Sequence, residues 1–297
     1  MKIIVTGSNG QVGCELARSL REISGTEMEV FAFDRSQMDL ADPAQVRQII
    51  RRIRPALIVN PAAYTAVDQA ETDVDMAMRV NGEAPGVIGE EARKCGAALI
   101  HYSTDYVFDG AKKNPYSESD PACPINVYGR SKLAGEQSVA ASGVPHLILR
   151  TSWVYGMHGK NFLKTVQRLA GERDTLRIVA DQIGAPTWSR TIAKQTAAAI
   201  EKLCATPGGF VIDPQAWAER GGICHLTAQG ETSWHGFATA IVAHGTRAAH
   251  VTVLPIATEE YPMPAPRPRN SRLSCARYER LFGALPTWEA ALEDCLR

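Results

Sequence analysis

Lys2-Ile3-Ile4-Val5-Thr6-Gly7-Ser8-Asn9-Gly10-Gln11-Val12-Gly13 decides the fold of this 297-residue chain. Ile3–Thr6 is an apolar run of strand type, and Gln11–Glu22 has the amphipathic spacing of a helix. The glycines between them follow G-x-x-G-x-x-G, not the commoner G-x-G-x-x-G. A strand turning tightly into a helix N-terminus offers free N–H groups and a positive dipole end, which suits a pyrophosphate. Gly7, Gly10 and Gly13, with Gln11 and Val12 among them, are therefore candidate dinucleotide contacts. A turn that only connects strand to helix is the plainer alternative.

The alternation continues outward. Val30–Phe33, Ala56–Val59, Ala97–Tyr102 and His146–Leu149 read as further strands. Helical segments lie between them. One is opened by Asp42 as N-cap with Pro43 at the first position, one covers Val74–Lys94 with Gly96 at its end, and one covers Val127–Ala141. Strand runs that are apolar throughout imply a sheet covered on both faces. The pattern predicts an α/β fold built on a Rossmann-type, doubly wound parallel sheet. After about residue 151 the rhythm changes. Phe162–Ala170, Arg190–Leu203, Trp234–His244 and Trp288–Leu296 read as helices, and Leu176–Val179, Ile223–Leu226 and Val251–Leu254 as strands. Tyr261–Arg269, with four prolines, is extended, and Ala205–Gly222 reads as a surface loop. Residues 1–150 are expected to form mainly the dinucleotide-binding domain. Residues 151–297 are expected to form mainly a smaller, mixed α/β substrate-binding part, with some segments returning to the first.

Composition narrows the partners. Lysine plus arginine and aspartate plus glutamate number 32 each, which gives no electrostatic reason for a nucleic acid or an anionic membrane surface. Seven cysteines without Cys-x-x-Cys spacing imply reduced thiols. Seven histidines without His-Glu-x-x-His or zinc spacing give no reason for a metal. No stretch reaches the ~18 apolar residues of a membrane span, and no leader pattern is present. The expectation is a soluble, cytoplasmic protein.

Two further places carry chemistry. Asp34 ends the second strand, where a dinucleotide fold puts the acid that reads a ribose. Arg35 beside it suits a 2′-phosphate, so NADPH and NADH both stay open. Asp39-Leu40 and the small-residue loop Ala62-Ala63-Tyr64-Thr65 can flank the same ligand. Tyr128 and Lys132 are four residues apart on one helix face. A tyrosine of pKa about 10 is a poor acid near neutrality unless an ammonium stabilises its phenolate. Tyr128 is thus the candidate proton donor to a carbonyl oxygen, Lys132 its partner, and Thr104, after the fourth strand, a hydroxyl to position that oxygen. A solvated Tyr–Lys pair and a hydroxyl capping a strand end are the plainer alternatives.

Gly7–Gly13, Ser103–Phe108 and Tyr128–Lys132 together resemble the extended short-chain dehydrogenases/reductases. Asn60–Glu71, Arg150–Gly156, Asp181–Thr187, Ser233-Trp234 and Arg267–Leu273 resemble, within them, the dTDP-4-dehydrorhamnose reductase family. That resemblance implies reduction of the 4-keto group of a dTDP-sugar by NADPH or NADH, closing dTDP-rhamnose synthesis. It implies Tyr128, Lys132 and Thr104 as catalytic residues, with Tyr128 and Lys132 also on the cofactor. It carries cofactor contacts to Gly10, Gln11, Val12, Asp39, Leu40, Ala62, Ala63, Tyr64 and Thr65. Substrate contacts fall to Thr104, Asp105 and Trp153, with Arg267 or Arg269 toward the nucleotide diphosphate. Pro61, where the family usually has alanine, departs from the pattern. Another nucleotide-sugar reductase or epimerase, or a non-catalytic regulatory subunit of the methionine adenosyltransferase type, are the competing readings. A homodimer is left open.

Overall fold

Each apolar run of the first half becomes a strand: β1 (Lys2–Val5), β2 (Glu29–Ala32), β3 (Leu57–Asn60), β4 (Ala98–Thr104) and β5 (His146–Thr151). The structure is a computed structural model, and it describes residues 1–24, 28–206, 209–245 and 250–297. Gly222–His225, from the second half of the chain, adds β6 beside β5. The six are hydrogen-bonded in the order β6-β5-β4-β3-β1-β2, every pair parallel.

Helices cover both faces, as the apolar runs require. Side chains alternate across a strand, so one run feeds two cores. Ile3, Val5, Val59, Ile100 and Leu149 join one core with α1 (Gln11–Ser24) and α5 (Ser189–Cys204). Ile4, Ile58, Leu99 and Ile148 join the other, with α2 (Pro43–Ile53) and α3 (Ala84–Cys95). Asp42 caps α2 by accepting from the Ala44 and Gln45 amides at 3.0 Å each, which satisfies two orphan N–H groups. Gly96 ends α3 at φ 71°, the left-handed conformation a glycine tolerates.

Two expectations need correction. Val74–Lys94 is not one α-helix: Val74–Met78 is α-helical, Arg79–Glu83 is a π-turn, and α3 follows. Pro85 has no N–H to return to the previous turn, and the Ala84 amide instead bonds the Arg79 carbonyl five residues back. Ala205–Gly222 is not a loop throughout. It holds the pair Ala205–Thr206 and Gly209–Phe210 and the helix Pro214–Arg220, whose Trp217 is buried in the first core. Asp213-Pro214 is the same N-cap signal as Asp42-Pro43. Residues 207–208 of that stretch lie outside the described residues.

A third core holds the second lobe. Phe162–Glu172, Trp234–Ala243 and Trp288–Leu296 pack around a parallel pair, Thr175–Val179 with Thr252–Ile256. Among the described residues no helix is long and apolar enough to cross a membrane.

Candidate active site

All six strands of the sheet are parallel, so their carboxyl ends share one edge. The strand order reverses beside β1, where crevices form in such sheets. A cavity of about 540 Å³ opens there. Gly7, Gly10, Gln11, Val12 and Gly13 form one wall. Gly7 sits at φ +59°, and a Cβ on Gly13 would collide with the Gly7 carbonyl oxygen. The first intrahelical bond of α1 is Cys14 N–H to Gly10 C=O, so the amides of Gln11, Val12 and Gly13 precede the helical ladder. Arg35, Asp39 and Leu40 line the far end, Ala62, Ala63, Tyr64 and Thr65 the side, and Tyr128 and Lys132 the near end.

Asp34 does not follow the expectation. It is not on the cavity wall; its Oδ1 accepts from the Ser36 amide and hydroxyl and the Gln37 amide, closing its own turn. A short acid at a strand end serves its own turn readily. Arg35 reaches the cavity and lies 3.7 Å from Asp39.

The loop after β3 is held by a residue the sequence reading did not single out. Asn81, in the π-turn and 1% exposed, accepts from the Tyr64 amide (2.8 Å) and donates to the Tyr64 carbonyl (2.9 Å). It also donates to Ser131 Oγ (3.0 Å) on α4 (Val127–Ala141), the helix that carries Tyr128 and Lys132. The Pro85 break was the available signal, since π-turns gather at functional sites.

Lys132 is 2% exposed and its Nζ donates to the Tyr102 carbonyl at 2.6 Å. Burial brings its pKa down to about 8. The Tyr128 phenol moves opposite to expectation. Burial and then the Asp105 charge push its pKa up, while a hydrogen bond with Thr104 works against them. Burial removes the water a phenolate needs, and the charge acting on it, that of Asp105, is negative. Tyr128 therefore keeps its proton, which is the form an acid requires. Asp105 is itself raised to about 6, by burial against hydrogen bonds from Ser271 and Thr104. Thr104 Oγ1 lies 2.9 Å from Asp105 Oδ1.

A second cavity, of about 970 Å³, is lined almost wholly by the second lobe. Tyr106 lines it and meets Tyr128 edge to face, with ring centroids 5.7 Å apart. Tyr128 on the first cavity and Tyr106 on the second thus place the two cavities side by side. Arg267 lines the second cavity and is held by Asp68 at 2.8 Å. Arg269 is not on its wall; it pairs with Glu259 and lies 3.8 Å from Asp181. Thr104 and Asp105 are buried behind Tyr128 and line neither cavity. Trp153 also lines neither. It stacks on Trp234 at 3.6 Å and 8°, and Gly184 is flush with its edge, so Trp234 is the indole on the cavity wall. The φ of Trp153, +48° and costly for a bulky residue, is held by that stack.

The first cavity fits a dinucleotide. Ser103 Oγ and Thr151 Oγ1, at the carboxyl ends of β4 and β5, are buried without a hydrogen-bond partner and belong to residues on its wall. Polar groups so placed call for a ligand that bonds them. Among the described residues no group of three or more histidine, cysteine or acidic side chains is placed to hold a metal.

Known proteins share both sequence and fold with this chain. A curated Burkholderia thailandensis protein named dTDP-4-dehydrorhamnose reductase is 48% identical, over 100% of this chain and 98% of its own. The crystal structure of a dTDP-4-dehydrorhamnose reductase from Clostridium acetobutylicum superposes with TM-score 0.89 at 34% identity, covering 100% of this chain and 98% of that one. That of Bacillus anthracis, in complex with NADP, gives 0.86 at 36%, covering 99% and 98%. The sequence profile described as "RmlD substrate binding domain" matches residues 1–297, and the chain is a member of that family.

Proposed function

We propose that this chain is a dTDP-4-dehydrorhamnose reductase, which reduces the 4-keto group of dTDP-4-dehydro-β-L-rhamnose with NADPH or NADH. The observation that carries the reading is the place of Tyr128: it lines the cavity that runs along the glycine-rich turn and packs edge to face on Tyr106, which lines the larger cavity. When bound, the nicotinamide supplies a hydride to the carbonyl carbon. Tyr128, kept protonated by burial and by Asp105, gives its proton to the carbonyl oxygen. Thr104, paired with Asp105 beside Tyr128, makes both residues positioning groups for the substrate end. Lys132 offers its ammonium to the ribose at the near end of the first cavity.

Gly7, Gly10, Gln11, Val12 and Gly13 hold the diphosphate, Arg35, Asp39 and Leu40 the adenosine end, and Ala62 to Thr65 the middle of the cofactor. Arg267 faces the sugar nucleotide, and Trp153 acts through the Trp234 it stacks on. Residues 1–150 serve mainly the cofactor and 151–297 mainly the substrate, with some segments returning to the first. A cytoplasmic location follows from a nucleotide-sugar substrate and free thiols, and a homodimer is the assembly to look for.

The test is loss of reduced-nicotinamide absorbance with freshly generated dTDP-4-dehydro-L-rhamnose. Substrate-dependent loss is expected, and Tyr128→Phe should cut turnover roughly 10²–10⁴-fold, the usual worth of a general acid. An epimerase or a regulatory subunit would give no net oxidation. Wild-type turnover in Tyr128→Phe would remove the acid from that residue.

A further inference from the structure

Three cations line the first cavity: Arg35, Lys132 and Lys160. Arg35 stands at the far end near Asp39, and Lys132 is buried against the Tyr102 carbonyl. Lys160 has no ion pair or hydrogen bond among the described residues. It belongs to a segment of the second lobe, residues 156–161, that crosses the N-terminus of α1. Asn161 Nδ2 donates to Gln11 Oε1 at 2.9 Å and to the Gly156 carbonyl at 2.7 Å. His158 Nε2 lies 3.6 Å from Glu15 on the next turn of α1. Gly159 turns the segment at φ +69° and packs on Gln11, where an added Cβ would sit 3.4 Å from Cγ. The neighbours of Lys160 on either side are thus fixed against Gln11, the first residue of the helix.

The charge at this end is incomplete without it. A helix N-terminus offers roughly half a positive charge, whereas a diphosphate brings two full negative ones. Gly7–Gly13 contains no lysine or arginine. We propose that Lys160 is the counter-charge for the cofactor's diphosphate, carried over the glycine-rich turn by the 156–161 strap. The second lobe then contributes to cofactor binding directly, and Asn161 and His158 set the strap's position. This inference rests on the nicotinamide-dependent reading above.

The experiment is equilibrium binding to the full chain, read by energy transfer from protein tryptophan to reduced nicotinamide, with no substrate present. NADPH and NADH are titrated against wild type, Lys160→Gln and Lys160→Glu. The diphosphate is common to both cofactors, so Lys160→Gln should raise both dissociation constants by a similar factor, roughly 5- to 20-fold. Lys160→Glu should raise them further, and the salt dependence of binding should flatten in both variants. Unchanged constants would overturn the proposal. So would weakening confined to NADPH, which would move the lysine to the 2′-phosphate. Failure of the wild type to bind either cofactor would instead overturn the reductase reading itself.

Discussion

Replacing Asn81 by alanine tests whether the π-turn holds the cofactor-facing loop in place. Asn81, only 1% exposed, satisfies both backbone groups of Tyr64. Asn81→Ala strands the Tyr64 N–H and C=O, and Ser131 loses one of its two partners. A buried group left unsatisfied costs about 1–3 kcal/mol. Tyr64 is only half-buried, so water rescues part of that, and the sum should be about 2–4 kcal/mol. At roughly 2–4 °C per kcal/mol, Tm should fall by about 4–16 °C, measured by calorimetry. NADPH binding should weaken in the same variant, because Tyr64 lines the cavity. A Tm within about 1 °C of wild type, with an unchanged NADPH dissociation constant, would refute the assignment of Asn81 as the clamp on this loop.

The remaining predictions touch three other parts of the molecule. Lys132 is held at about 8 by burial, so kcat/KM should decline on the alkaline side with an apparent pKa near that value as the ammonium is lost; a flat profile to pH 10 would contradict it. Arg150 and Glu136 form a buried pair with contacts of 2.8 and 2.6 Å. Arg150→Met leaves Glu136 buried and unpaired, a loss of about 3–5 kcal/mol by denaturant unfolding, and adding Glu136→Leu should recover most of it. Gly184→Ala places a Cβ 2.6 Å from the Trp153 ring. The stack on Trp234 must shift, so the substrate KM should rise several-fold with cofactor binding unchanged; an unaltered KM would separate the stack from the substrate cavity.

Local pattern made much of the first half legible. Val127–Ala141 and Trp288–Leu296 have the bounds their periodicity predicts, and Asp42 caps the helix it was expected to open. Where a rule failed, a nearby chemical fact explains it. Pro85 broke a helix read as continuous, and Asp213-Pro214 opened one where a loop was expected. Asp34 turned to its own backbone instead of the cavity.

The sequence alone determined the strand–turn–helix opening, the parallel sheet and the Tyr128–Lys132 face. The turn and the helix face depend on residues within one or two turns of each other, where spacing fixes geometry, and the parallel sheet is implied by the strand–helix alternation along the chain. Only the tertiary structure decided the rest. It brought Gly222–His225 to β5, aimed Asn81 at Tyr64, and set Trp234 rather than Trp153 on the wall of the second cavity. It also laid residues 156–161 across α1 and raised the Tyr128 pKa where a neighbouring lysine alone would have lowered it. Each of these depends on contacts between distant segments and on burial, which residue spacing does not encode.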